Sequence, residues 1–410
     1  MSDLIQDGMA EATRLTREGR LTEATAVIQR ALGGRSAPGA SPDTPGGTDE
    51  RVETARRAMN EAPQPTAPPQ PGPVEHGLRR APGSFRGFRG VSRSPGTTPG
   101  ATAGLSTPAT IAAGGRFVER SYTGGAGGRA YKLYIPSGYV GQEVPLIVMF
   151  HGCTQSPDDL AAGTLMNTFA EDHTFLVAYP AQAQGANMNK CWNWFKASDQ
   201  QRGRGEPSII AGITCEVLGE YHVDPGQVYV AGMSAGGAMA VIMGATYPDL
   251  YAAIGVHSGL APGAADDLPS AFSAMQGGGP VASQRGIPRG ESHRIVPAIV
   301  FHGDRDKTVH PRNADNLLAH FRATTSERAL RETTNRGQVP GGHAYTLATY
   351  HDAGGRAVVE RWTIHGLGHA WSGGSSTGSY TDPKGPDASA EMVRFFHEHP
   401  RREPTERPTD

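Results

Sequence analysis

Short apolar runs, separated by polar and glycine-rich stretches, fill residues 116–399 of the chain. The clearest run, Val144–Phe150, is continuously apolar, as expected for a central strand covered on both faces. Similar runs predict strands at 174–179, 228–233, 252–256, 298–301 and 358–364. Helical patterns lie between them, at 164–172, 207–221, 238–246, 313–323 and 389–397. This alternation predicts an α/β domain with a mostly parallel central sheet and helices on both faces.

The first two strands of this domain follow a different pattern. Residues 117–122 and 129–136 are strand-like segments joined by a loop that is glycine on both sides of Ala126. Two strands joined by a short glycine loop are typical of a hairpin. We therefore predict an antiparallel hairpin at the N-terminal side of the sheet.

The two ends of the chain differ in composition from the domain. Residues 1–33 place apolar side chains such as Val27 and Ile28 on one helical face, which predicts an amphipathic helical segment that packs on the domain or on another chain. Residues 34–115 are rich in Pro, Gly, Ser and Thr and bury too little apolar surface to offset their ordering entropy, so we predict a disordered linker. A disordered tail is predicted at 400–410.

Composition and charge narrow the functional classes. The 55 glycines and 32 prolines among 410 residues are unevenly placed, in keeping with a partly unfolded chain. A formal net charge of −2 argues against a nucleic-acid partner held by charge. No apolar run reaches about eighteen residues, so no membrane span is expected. The first residues lack the basic start and apolar core of a secretory signal, which predicts a cytoplasmic location. The three cysteines have no zinc-site spacing, so no metal is expected.

The strand at 228–233 ends in Gly-Met-Ser-Ala-Gly before a helix of small residues. Strand, sharp turn and helix around Gly-x-Ser-x-Gly are the layout of a nucleophile elbow, which holds the hydroxyl of Ser234 clear of the sheet. Gly232 and Gly236 remove side chains where strand and helix meet. In a glycine-rich chain this pattern also arises by chance, so its weight depends on the presence of partners.

A serine nucleophile needs a histidine base and an acid that orients the base, in the chain order serine, acid, histidine. Asp306 is the preferred acid, because it follows the strand at 298–301 and two residues separate it from Gly303, which lets the loop turn back. The alternatives are Asp304, Asp266 and Asp267.

The base is expected on the loop after the last central strand, at 358–364. His369 is preferred, because Gly368 and Ala370 give it a looser backbone that can reach across the sheet edge. His365 is the alternative.

The negative charge that develops on a carbonyl oxygen needs two preorganised N–H donors. One is the backbone N–H of Ala235, the residue after the serine. The other is expected after the third strand, where Gly152 lets the chain turn so that the N–H of Cys153 points into the site.

These motifs together resemble the polyhydroxybutyrate (PHB) depolymerase family of esterases, relatives of the feruloyl and acetyl-xylan esterases. The matching stretches are 151–156, 191–195, 232–237, 256–259, 302–306 and 368–374. The resemblance implies an α/β-hydrolase fold with Ser234 as nucleophile, Asp306 as acid, His369 as base and Cys153 as an oxyanion donor. It also implies a disulfide between Cys153 and Cys191, which a cytoplasmic location would disfavour.

The function predicted from this pattern is that of a serine esterase without a cofactor, acting through an acyl-enzyme on short-chain 3-hydroxybutyrate esters or oligomers. Gln155, Trp194 and Trp371 are predicted to line the substrate site, with core packing the alternative for two of the three tryptophans at 192, 194 and 371.

Three alternatives stay open. The enzyme could act on feruloyl or acetyl groups of plant polysaccharide. From another class, the chain could be a polymer-granule or scaffold protein that binds through residues 1–33 while its hydrolase domain is idle. The alternative location is extracellular, as in secreted family members.

Overall fold

The structure, a computed structural model, describes residues 114–279, 296–324 and 330–401. The predicted helical segment at 1–33, nearly all of the predicted linker and most of the predicted tail lie outside the described residues. Those three predictions therefore stay predictions.

The described strands form one ten-stranded sheet in the order β1-β2-β4-β3-β5-β6-β7-β10-β9-β8. They are β1 (Arg116–Gly124), β2 (Gly127–Ile135), β3 (Val144–Phe150), β4 (Leu176–Pro180), β5 (Val223–Met233), β6 (Ala253–His257), β7 (Ala298–Gly303), β8 (Arg331–Gln338), β9 (Ala344–His351) and β10 (Ala357–Ile364). A second, two-stranded sheet pairs β11 (Trp371–Ser372) with β12 (Thr381–Asp382).

Parallel pairing joins the central strands β4, β3, β5, β6, β7 and β10. On one side, β1 and β2 form an antiparallel hairpin that pairs with β4. This arrangement confirms the predicted parallel centre and N-terminal hairpin. On the other side, β8 and β9 form a second antiparallel hairpin beside β10, which the sequence did not predict.

The helices are α1 (Pro157–Thr164), α2 (Met166–His173), α3 (Gly205–Glu220), α4 (Ala235–Thr246), α5 (Leu268–Gly277), α6 (Arg312–Thr324) and α7 (Ala388–Glu398), with a 3₁₀ turn at Ala197–Gln200. The helix predicted near 164–172 is present as α2, whereas α1 was not predicted. Leu165 adopts a left-handed backbone with φ of 56° and separates the two helices. Ser156 caps α1 by accepting a hydrogen bond from the N–H of Asp159.

Alternate side chains of the central strands enter two cores, one on each face of the sheet. On β3, Leu146 and Val148 pack in one core, whereas Ile147 and Met149 pack in the other. Helices α3, α4 and α6 contribute to the first core and α1, α2 and α7 to the second. None of the helices in the described ranges is both long and apolar enough to cross a bilayer.

Candidate active site

Ser234 lies at the turn between β5 and α4, with an unusual φ of 57° and ψ of −121°. A positive φ is costly for a residue with a side chain and marks a backbone held in place by its surroundings. The N–H of Ser234 donates to the carbonyl of His257 over 2.8 Å, which joins the turn to the end of β6. A Cβ at Gly236 would collide with the carbonyl of Phe150, so this close approach requires glycine.

Asp306 and His369 are joined in the structure by a hydrogen bond of 2.7 Å from Nδ1 of His369 to Oδ2 of Asp306. The other carboxylate oxygen accepts the N–H groups of Thr308 and Val309 over 2.9 and 2.8 Å. Because Nδ1 donates to the carboxylate, Nε2 of the neutral ring carries the lone pair. His369 is therefore oriented as a proton acceptor.

The surroundings keep the Asp306 carboxylate ionised although it is buried. Burial raises the pKa of this carboxyl. The hydrogen bond and charge of His369, with the N–H of Val309 and the nearby ring of His302, outweigh burial and hold the pKa below its usual range. The carboxylate can therefore stabilise a positive charge that develops on His369.

The rival acid and the rival base from the sequence pair with each other instead. Nδ1 of His365 lies 3.0 Å from Oδ2 of Asp304, and the N–H of Gly366 donates to Oδ1 over 2.7 Å. Asp266 and Asp267 are exposed at the start of α5, where Asp267 caps the helix. Within the described ranges, no hydrogen bond or ion pair joins either of them to His369, whose carboxylate partner is Asp306.

The loop after β3 carries the predicted oxyanion donor. Cys153 is bonded to Cys191 in a disulfide. Among the described residues, no acceptor binds the N–H of Cys153. Ala235 is the first residue of α4, so its N–H has no acceptor within the helix. Both groups are thus available for a developing oxyanion.

A buried histidine that the sequence indicated only as part of a turn holds this loop in place. His151 donates from Nδ1 to the carbonyl of Gly152 over 2.7 Å and accepts at Nε2 from the N–H of Gln182 over 3.0 Å. The indole N–H of Trp192 donates to the His151 carbonyl over 3.1 Å. Burial lowers the pKa of His151 to about 4, so the ring stays neutral and keeps its acceptor.

A second unpredicted group, the buried carboxylate of Glu206, anchors the tryptophan-rich loop at 191–195. It accepts the backbone N–H of Asn193 over 2.7 Å and the side-chain amide of Asn193 over 2.8 Å. It also accepts the side-chain amide of Gln182 and forms a 3.1 Å ion pair with Arg129. Burial raises the pKa of Glu206, and these amide donors oppose that shift.

The three predicted substrate-binding side chains are almost fully buried, with exposures of 4% for Gln155, 5% for Trp194 and 1% for Trp371. Gln155 accepts the N–H of Gly152 over 2.9 Å, while its amide donates to Asp159 over 2.8 Å. Most of each side chain therefore packs within the core, and contact of these residues with substrate stays a prediction.

His257 belongs to the matching stretch 256–259, and the structure places it between two parts of the site. Its carbonyl binds Ser234, and its Nε2 accepts the N–H of Ser372 over 3.0 Å, three residues after His369. Its ring stacks on Trp371 with centroids 5.1 Å apart. Burial lowers the pKa of His257 to about 3, so this acceptor persists at neutral pH.

Comparison with known proteins shows which family the chain belongs to. A profile of the family described as esterase PHB depolymerase matches residues 129–335. The chain belongs to this family. The match covers Ser234 and Asp306 but ends before His369, which only the geometry joins to Asp306.

Relatives within and near the PHB depolymerase family include several esterases. The chain is 34% identical over 254 residues to poly(3-hydroxyalkanoate) depolymerase C of Paucimonas lemoignei. This match covers 60% of this chain and 59% of that relative. It is 29% identical over 226 residues to feruloyl esterase B of Neurospora crassa, covering 50% of this chain and 73% of that relative. The chain thus spans about three fifths of the depolymerase.

A solved structure shares the fold. Acetyl xylan esterase from Aspergillus awamori superposes with a TM-score of 0.56 at 20% identity, over 69% of this chain and 99% of that one. The chain therefore has an α/β-hydrolase fold. Within the described ranges, no group of three or more His, Cys, Asp or Glu residues is arranged to hold a metal ion.

Proposed function

We propose that this protein is a serine esterase that hydrolyses carboxylic esters through an acyl-enzyme. The observation that carries the proposal is the 2.7 Å pair of His369 and Asp306, set at the same sheet edge as the strained turn of Ser234. The strands that lead to these three residues, β5, β7 and β10, are parallel, so their carboxyl ends share that edge.

In the proposed reaction, Oγ of Ser234 attacks the ester carbonyl while Nε2 of His369 takes its proton. The N–H groups of Cys153 and Ala235 stabilise the oxyanion, and Asp306 stabilises the imidazolium. His369 then gives the proton to the departing alcohol, which leaves an acyl group on Ser234. Water, activated by His369 in the same way, releases the acid and restores the serine.

The proposed substrates are short-chain 3-hydroxybutyrate esters or oligomers. Support comes from the poly(3-hydroxyalkanoate) depolymerase relative, which has the higher identity and the longer match of the two relatives described above. The second candidate is an esterase for feruloyl or acetyl groups, which the feruloyl esterase relative favours.

The test is hydrolysis of a panel by wild type, Ser234→Ala and a control, Ser137→Ala. The panel holds p-nitrophenyl acetate and butyrate, 3-hydroxybutyrate dimer and trimer, amorphous polyester and methyl ferulate. We expect trimer cleavage that Ser234→Ala lowers by at least about a thousandfold. Ser137 lies between β2 and the start of β3, away from the strand ends that carry the site, and its replacement should keep wild-type rates. A Ser234→Ala variant with most of its rate contradicts the mechanism, whereas cleavage of methyl ferulate or acetate alone favours the second candidate.

The location and the partner segment are proposals as well. The Cys153–Cys191 disulfide supports an oxidising compartment, so of the two locations considered from the sequence we propose the extracellular one. We also propose that residues 1–33 contact a polymer granule or a protein. A chain without residues 1–115 should cleave soluble esters and lose granule binding in a sedimentation assay. Lost granule binding without any ester hydrolysis by the full chain would favour the scaffold reading.

A further inference from the structure

Tyr380 stands beside the predicted base and is open to solvent. Its ring centroid lies 6.3 Å from that of His369, with the planes inclined by 74°. It is 47% exposed, unlike Gln155, Trp194 and Trp371, which are almost fully buried. Tyr380 belongs to none of the sequence motifs, so its position beside His369 could not be predicted.

The same side chain also contacts the loop that carries the predicted oxyanion donor. Its hydroxyl lies 3.2 Å from Oγ1 of Thr154, which follows the predicted oxyanion donor Cys153. Thr154 also has a positive φ, of 67°, and its N–H donates to the carbonyl of Asn189 over 2.7 Å. Tyr380 therefore bridges the loop of the base and the oxyanion loop, and about half of its surface stays exposed.

The backbone holds Tyr380 in a conformation that bulky residues rarely adopt. Its φ is 53°. Its carbonyl accepts the N–H of Trp371 over 2.6 Å, and the N–H of Ser379 donates to Asp159 over 2.9 Å. A half-exposed ring gains little from burial in return for this strain, and strained residues of this kind cluster at ligand sites.

We propose that Tyr380 is a specificity-determining residue whose ring contacts the aliphatic chain of a hydroxyalkanoate unit. This inference rests on the proposed esterase function and names a part of its substrate site. An aromatic face packs well on methyl and methylene groups, and this half-exposed ring contacts both His369 and Thr154, beside the residues proposed to act on the ester. An acetyl ester has too short an acyl chain to use the contact fully.

The experiment compares wild type, Tyr380→Ala and Tyr380→Phe by kcat/KM for 3-hydroxybutyrate trimer and for p-nitrophenyl acetate. We expect Tyr380→Ala to lower the ratio of trimer to acetate kcat/KM by about tenfold, as lost apolar contacts do. Tyr380→Phe keeps the ring and should keep most of the ratio. Val140→Ala is the control, because Val140 is exposed just before β3 begins, away from the strand ends that carry the site.

Binding supplies a readout that needs no turnover. In a Ser234→Ala background, calorimetry should show trimer binding that Tyr380→Ala weakens by a similar factor. Equal losses of kcat/KM on both esters leave the ratio unchanged. That outcome would make Tyr380 a positioning residue for His369 and overturn the proposal. Hydrolysis that depends on Ser234, with an unchanged ratio of trimer to acetate kcat/KM, contradicts this inference alone. Absence of both ester hydrolysis and trimer binding contradicts the esterase proposal as well.

Discussion

The two carboxylate oxygens of Asp306 have separate tasks. Oδ1 is held by the N–H groups of Thr308 and Val309, and Oδ2 binds Nδ1 of His369. Because the loop fixes one oxygen, the direction of the other is fixed as well. The tautomer of His369 therefore depends on this one side chain.

Asp306→Asn should lower kcat by about a thousandfold or more with little change in KM, because an amide in place of Oδ2 no longer favours the Nδ1–H tautomer. Steady-state kinetics on p-nitrophenyl butyrate measure this effect. Asp304→Asn is the matched control, since Asp304 binds His365 instead, and it should stay within about threefold of wild type. A larger loss in Asp304→Asn than in Asp306→Asn would make Asp304 the acid.

His257→Phe keeps a buried aromatic ring and removes the acceptor for the N–H of Ser372. The loop that carries His369 should shift, so we expect kcat to fall by about ten- to a hundredfold with KM nearly unchanged. A thermal melt separates this effect from unfolding. A folded variant with wild-type kcat would show that the contact is dispensable.

The motif residues could be predicted from the sequence because each follows a strand that is itself readable. Ser234, Asp306 and His369 were found through their order and strand ends. Glu206 and Tyr380 were not, because their contacts join residues far apart in the chain, such as Tyr380 with Thr154. Contacts between residues so far apart in the chain leave no short-range pattern in the sequence.

At the scale of elements, predictability follows how apolar an element is. The continuously apolar β3 was predicted with its observed bounds. The hairpin of β8 and β9 was missed, because β8 reads Arg-Glu-Thr-Thr-Asn-Arg-Gly-Gln, without the alternation that a half-buried strand shows. Helix α5 was not predicted either, although Asp267 and Ser270 form a capping box at its start.

The oxyanion loop and the tryptophan-rich loop are tied together by the Cys153–Cys191 disulfide across 38 residues of chain. In the chain-entropy account, closing a loop of this length stabilises the fold by about 4 kcal/mol. Cys191→Ser should therefore lower the melting temperature and, by loosening the loop of Cys153, lower kcat as well.

The control for this variant is Cys215→Ser, because Cys215 is exposed and unbonded to another cysteine. Melting curves and kinetics of both variants, with and without dithiothreitol, measure the effect. The reductant should act on wild type and Cys215→Ser but leave Cys191→Ser unchanged. Wild type that is indifferent to full reduction would count against a role for the disulfide.

At the scale of the whole molecule, several buried histidines make stability depend on pH. Burial lowers the pKa of His151 and His320 to about 4 and that of His257 to about 3, and it lowers that of His302. In the unfolded chain a histidine has a pKa of about 6.5. Below that pH the unfolded state binds more protons than the folded state, so stability falls as pH falls.

We expect the free energy of unfolding to be flat from pH 8 to 7 and to fall between about pH 6.5 and 4, by up to about 1.4 kcal/mol per pH unit for each such histidine. Urea titrations at pH 7.5, 6.0 and 5.0 measure this. The depressed pKa of Asp306 adds a further loss only below about pH 4, outside that window. Stability that rises on acidification from pH 6.5 to 5 contradicts the burial of these rings as neutral groups.

Both outer strands of the ten-stranded sheet carry charged side chains. Strand β8 has Arg331, Glu332 and Arg336 at one edge, and β1 has Glu119 and Arg120 at the other. An outer strand with open backbone groups is a template on which another chain can add, and charges along it oppose that addition. The charges on both edges therefore oppose the addition of a second copy of this sheet, edge to edge.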